Sequence, residues 1–117
     1  MRHGKKGKKF NRTTGRRKSF LRNLSNDLIR AGKIETTEIR AKAIRPIVER
    51  LITIAKRQDL QSRRLLIART HNPKLTEKLL GDLAARYKER KGGYLRITKL
   101  AVSRRRDGSQ LARMEFV

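Results

Sequence analysis

The sequence predicts an α+β fold: about four helices packed with a small two- or three-stranded sheet, plus a basic extended N-terminal arm. Three observations carry this expectation. Apolar residues recur at helical spacing through four stretches that end before Gly92-Gly93. After that pair the period changes, and Tyr94–Val102 (YLRITKLAV) is rich in β-branched and aromatic residues. The first twenty-six residues hold ten Lys or Arg and no acid, the first acid being Asp27. Helices in succession followed by strands are the α+β order.

The elements follow in turn. Thr13 or Thr14 offers an N-cap for a first helix, whose stripe is Phe20, Leu21, Leu24 and Leu28 with Ile29 at its edge; Gly32 is its left-handed stop. Lys33–Thr36 reads as a brief strand centred on Ile34. Thr36 or Thr37 caps the second helix, with Glu38 in its first turn. Ile44, Ile47, Val48, Leu51, Ile52 and Ala55 form the clearest stripe in the chain. Pro46 disfavours helix at Arg45, but the stripe runs through it, so the reading is one kinked helix from about Glu38 to Arg57. Asp59 caps a third helix to about Arg69, with Leu60, Arg64, Ile67 and Ala68 as a weak stripe beside Leu65 and Leu66. Asn72-Pro73 is an N-cap and first helical position. The fourth helix carries Leu75, Leu79, Leu80, Leu83, Ala84 and Tyr87 and ends at Gly92-Gly93. Gly81 inside it should cost about 1 kcal/mol relative to Ala unless close packing compensates. In the strand that follows, Leu95 and Ile97 share one face, Leu100 and Val102 the other, which predicts a bulge near Thr98 or Lys99. Arg104–Ser109 is a turn around Asp107-Gly108, and Leu111–Val117 returns with Ala112, Met114 and Phe116 on one face.

The chain has 117 residues and a net charge of +23. That length suits one domain, 13–117, behind an arm, 1–12. A compact surface carrying so much like charge repels itself, and an external polyanion relieves it. Nucleic acid is the leading candidate, because each phosphate neutralised also releases a condensed counterion. A solubilising role would need far less charge, commonly a net of roughly 2–8. The arm, Met1 to about Arg12, reads as disordered alone and ordered on RNA. Aromatics are only Phe10, Phe20, Tyr87, Tyr94 and Phe116, too few for a base-stacking sheet of the RRM or OB type. Recognition of folded RNA through phosphates and shape fits better. A DNA-binding helix pair is disfavoured by the long uninterrupted second stripe. The head's composition also suits a mitochondrial transit peptide, but its glycine-broken clusters lack an amphipathic pattern.

The candidate RNA-binding residues are therefore Arg2, His3, Lys5, Lys6, Lys8, Lys9, Asn11 and Arg12 in the arm. Arg16, Arg17, Lys18, Arg22 and Asn23 follow on the first helix, and Arg96, Lys99, Arg104, Arg105 and Arg106 on the hairpin. Arg suits this work because its planar fork donates two hydrogen bonds to one phosphate. No catalytic residues are expected. His3 and His71 are far apart and have no acidic cluster, and Ser19, Ser25 and Ser62 lie in no recognisable triad motif. There is no cysteine, no metal-ligand spacing and no phosphate-cradling loop of the GxxxxGK[ST] type. The expectation is no enzyme activity, no cofactor, no metal, no small-molecule substrate, no membrane and no stable homo-oligomer.

Met1-Arg2-His3 followed by Lys and Gly, then Asn11-Arg12 and Arg22-Asn23, resembles the start of the bacterial large-subunit ribosomal protein L-seventeen family. Thr36-Thr37, Ala41-Lys42 and the run from Leu51 to Lys56 fit the same family, as does Arg86–Lys99, above all Gly-Gly-Tyr-x-Arg-Ile-x-Lys. The resemblance runs from Met1 to Val117. It implies helices packed with a small sheet, and a structural, cytoplasmic constituent of the large ribosomal subunit. It further implies a place near the nascent-chain exit region, with large-subunit ribosomal RNA and neighbouring large-subunit proteins as partners.

Overall fold

The computed structural model describes residues 3–5 and 7–117. The expected sites Arg2 and Lys6 lie outside the described residues. Four helices pack with a three-stranded antiparallel sheet.

Helix α1 (Thr14–Ala31) begins at Thr13 in extended conformation and stops at Gly32, whose φ of 84° lets its N–H reach back to the Leu28 carbonyl. The chain turns directly into β1 (Lys33–Thr37). Thr37 then caps α2 (Glu38–Ala55), its hydroxyl accepting from the Arg40 N–H. Pro46 does not divide α2. The bond it removes is the one to the carbonyl four residues back, and both Lys42 and Pro46 are exposed, so water can serve that carbonyl. The buried side, Ala41, Ile44, Val48, Leu51, Ile52, Ile54 and Ala55, is untouched. α2 is the spine of the molecule, packing against α1, α3, the fourth helix and all three strands.

Helix α3 (Leu60–Thr70) is capped by Asp59, whose carboxylate accepts from the Ser62 N–H at 2.6 Å. Its buried side corrects the expected stripe. Leu60 is 63% exposed and Ala68 is exposed, while Ser62, Leu66 and Thr70 face inward. Hydroxyls can do this where they find an acceptor nearby, the Asp59 carboxylate for Ser62 and a backbone carbonyl for Thr70. Thr70 Oγ1 donates to the Leu66 carbonyl at 2.9 Å and lies 3.2 Å from Thr76 Oγ1; Ser25 Oγ donates to the Leu21 carbonyl at 2.8 Å. Asn26 ties α1 to the same seam through the Thr70 carbonyl.

Asn72 caps α4 (Pro73–Lys78), accepting from the N–H groups of Lys74 and Leu75. The helix runs on through a π-helical turn (Leu79–Leu83) and a last α turn (Ala84–Arg86). It therefore ends at Arg86, well before Gly92-Gly93, and Tyr87–Arg90 form a turn. Gly81 falls within the π turn, and a Cβ there would meet nothing within 4 Å, so close packing does not explain the glycine.

Strands β2 (Leu95–Ser103) and β3 (Gln110–Phe116) form the expected hairpin, and β1 adds to the far side of β3, giving the order β1-β3-β2. Ile34 and Ile97 both stand opposite Met114, which is fully buried. The register shifts between Lys99 and Ser103, starting at Lys99, the second of the two expected positions. Past it β2 leaves the core, and Val102 is 66% exposed. At the other end Tyr87 stacks against Tyr94 at 5.1 Å and Phe116 at 6.4 Å, its hydroxyl donating to the Val117 carbonyl at 2.7 Å.

Candidate nucleic-acid interface

Three separate segments converge at one cleft of about 400 Å³, lined by Phe10, Arg12, Thr37, Glu38, Ile39, Arg40, Arg104, Asp107, Ser109 and Gln110. Local sequence brings each one there. At the arm's end the backbone turns through Phe10 and Asn11, both at φ 52°, and the Arg12 N–H closes the turn on the Lys9 carbonyl at 3.1 Å. The arm is thus folded, not extended, over its last residues. The Phe10 ring then meets the Phe20 ring at 5.6 Å. Gly108, at φ 65°, completes the hairpin turn, where Asp107 accepts from the Ser109 N–H at 3.0 Å and lies 3.6 Å from Arg104. The Thr37 cap starts α2 so that Arg40 points to the same cleft.

Phe20 meets two guanidiniums, with Arg12 at 3.8 Å and Arg40 at 5.1 Å from its centroid. Burial first, and then the charges of Arg104 and Arg12, push the Arg40 guanidinium below its ordinary value, with Asp107 opposing. An arginine starts so far above neutrality that it remains charged. The fold thus holds three guanidiniums close enough to repel. Asp107, 3.6 Å from Arg104, offsets part of this charge, while Glu38 is engaged by two lysines instead of the three arginines. Glu38 is held ionised chiefly by Lys42 at 2.7 Å, and also by Lys99 at 3.7 Å. The Asp107 carboxyl is held below its usual range by the Ser109 N–H and hydroxyl, and then by Arg104. The cleft offers forked donors to an anion and no nucleophile or base aligned for chemistry.

The other expected residues distribute as follows. His3, Lys5, Lys8, Lys9 and Asn11 are exposed on the arm, and Arg105 and Arg106 are exposed at the hairpin tip beside the cleft. Arg17 is half-buried and donates to the Arg12 carbonyl, bracing the arm. Arg16 and Asn23, seven apart on α1, share one exposed line, and the exposed Lys18 and half-buried Arg22, four apart, share another line. Lys99 is drawn to Glu38. Arg96 does not join the cluster. It lies opposite Glu115, near the start of β2, roughly 25 Å of strand from Arg104. Arg40 is not among the expected residues; in sequence it is one helical arginine among many. Among the described residues no group of His, Asp or Glu could hold a metal ion, and no helix is long and apolar enough to cross a membrane.

Comparison with known proteins follows the same line. The family described as ribosomal protein L17 matches residues 20–117. The chain is 47% identical to the large ribosomal subunit protein bL17 of Lawsonia intracellularis over 116 residues, covering 99% of this chain and 92% of that one. The Thermus thermophilus protein of the same name is 45% identical over 117 residues, 100% of this chain and 99% of its own. That of Persephonella marina is 49% identical over 118 residues, 100% of this chain and 95% of its own.

Proposed function

The chain belongs to the ribosomal protein L17 family, and from that premise we propose that it binds ribosomal RNA by neutralising phosphates with its arm, hairpin turn and α1 face. It is a structural protein of the large ribosomal subunit in the cytoplasm, not an enzyme, and its partners are ribosomal RNA and ribosomal proteins. In this reading residues 1–12 order on RNA while 13–117 form the domain that aims them. The chain sits near the nascent-chain exit region, as a single copy, beside other large-subunit proteins. Binding uses the arm cations from Arg2 to Arg12 and the α1 residues from Arg16 to Asn23. It also uses Lys99 and Arg104–Arg106, with Arg96 reaching a separate strand of RNA.

The observation that carries this reading is the Arg12–Arg40–Arg104 cleft. Like charges held together within a fold cost stability unless an anion joins them. A phosphate between three forks removes that cost and fixes the arm against the hairpin.

Arg40 provides the test. Arg40→Ala removes one charge-assisted contact, worth about tenfold in affinity. In cells making both forms, the variant should enter large subunits about tenfold less well than the unaltered chain, with Arg40→Lys intermediate. Equal incorporation of Arg40→Ala would count against the cleft as an RNA site.

A further inference from the structure

A second groove shares no residue with the cleft. It has a volume of about 360 Å³ and lies where α1, α2 and the C-terminal end of α3 meet. That size falls within the roughly 300–1,000 Å³ span of ligand clefts. Its apolar walls are Leu21, Ile47, Leu51 and Ala68. Its basic residues are Lys18 and Arg22 from α1, Arg50 from α2, and Arg69 with the helix-ending His71 from α3. No carboxylate lines it. Among the described residues the ion pairs all use other cations, so Lys18, Arg22, Arg50 and Arg69 face the groove without a carboxylate within 4 Å.

The combination is selective. Cations from three helices converge on a surface whose remaining lining is four aliphatic side chains with the neutral polar Ser25 and Asn26. A paired RNA helix would present phosphates but would leave the apolar walls bare, because its bases are stacked inside. An acidic peptide would answer the charge by pairing its carboxylates with the guanidinium edges, yet those carboxylates leave the apolar walls and the flat guanidinium and imidazole faces uncovered. An unstacked nucleotide answers all three features: its base is flat and apolar-faced, its phosphate is anionic, and Arg and His planes stack on bases.

We infer that this groove takes a single-stranded, unstacked nucleotide of the RNA. Its base lies against Leu21, Ile47, Leu51 and Ala68, and its phosphate lies among Lys18, Arg22, Arg50 and Arg69. The inference rests on the reading that the chain binds ribosomal RNA, and adds that one contacted stretch is looped or bulged.

The experiment uses the full chain carrying labelled Leu, Ile and Ala methyl groups. It is titrated separately with a short oligoadenylate, a duplex RNA with as many phosphates, and an oligoglutamate of equal charge. The oligoadenylate should shift the Leu21, Ile47, Leu51 and Ala68 methyl signals, and the other two should not. Arg50→Ala/Arg69→Ala should lower oligoadenylate affinity about a hundredfold, at about tenfold for each charge-assisted contact. Lys74→Ala/Lys91→Ala removes the same charge elsewhere and should cost less than tenfold. The inference is overturned if duplex RNA moves the methyl signals as well as the single strand does. It is equally overturned if oligoglutamate moves them and RNA does not, which would make this a protein-docking groove. If the chain binds large-subunit RNA while these methyls stay still, only the groove assignment fails. If it binds no RNA, the proposed function fails with it.

Discussion

Raising salt from 50 to 200 mM should weaken binding of the free chain to large-subunit RNA by roughly 10³–10⁵-fold, if six to ten phosphates are neutralised. The warrant is the charge and where it lies. Thirty-three Lys and Arg face ten acids, and the first twenty-six residues contribute ten cations and no acid. Every phosphate contact releases condensed counterions, so the logarithm of affinity falls linearly with the logarithm of salt, and the slope counts contacts. Filter binding across that range gives the slope directly. A flat profile would mean that affinity comes from shape or apolar contact, and that the arm's charge serves only solubility.

The second large effect concerns the scaffold. Ile52→Ala should destabilise the free chain by about 2–5 kcal/mol, since Ile52 is fully buried in the last turn of α2, the helix that packs against α1, α3 and all three strands. Arg22→Ala should change stability by no more than about 0.5 kcal/mol, because its side chain bonds to Ser19 at 3.4 Å within the same helix and ties no two elements together by a hydrogen bond among the described residues. Denaturant unfolding of both variants separates the cases. An Ile52→Ala chain as stable as the unaltered one would mean that α2 is not the spine, and an unfolded Arg22→Ala chain would mean that α1 is held by its basic face.

Much of this architecture is legible in the sequence because α2 and the hairpin obey simple periods. Thr37, Asp59 and Asn72 announce their helices by side-chain chemistry, and Gly32 and Gly108 announce stops and turns by the backbone they permit. The exceptions share a cause. In α3 the inward residues are Ser62, Leu66 and Thr70, so a stripe drawn through Leu60 and Ala68 picks the wrong side. Hydrophobicity does not reveal that a threonine will satisfy its hydroxyl on the Leu66 carbonyl and then pack like valine. The π turn is likewise hidden, because Leu75, Leu79, Leu80 and Leu83 read equally well on a plain α-helix. The position of β1 beside β3 follows from Ile34 meeting Met114 across the sheet, a contact between residues eighty apart.

The interface is legible as composition and not as place. Clustered cations mark the arm and the hairpin tip, but nothing in the chain indicates that Phe10 will fold back on Phe20. Nor does it indicate that Arg12 and Arg104 will flank Arg40. Arg96 shows the converse: it is basic and close in sequence to Lys99, yet the strand carries it away from the cleft.

In the proposed complex, arm and hairpin turn hold one piece of RNA together. Photoreactive side chains at Asn11 and Arg105, exposed neighbours of the cleft, can be placed in the chain and activated within intact ribosomes. The account predicts that both crosslink to large-subunit RNA, and to nucleotides adjacent in the folded RNA. Crosslinks from the two positions to distant RNA regions, or to protein alone, would contradict it.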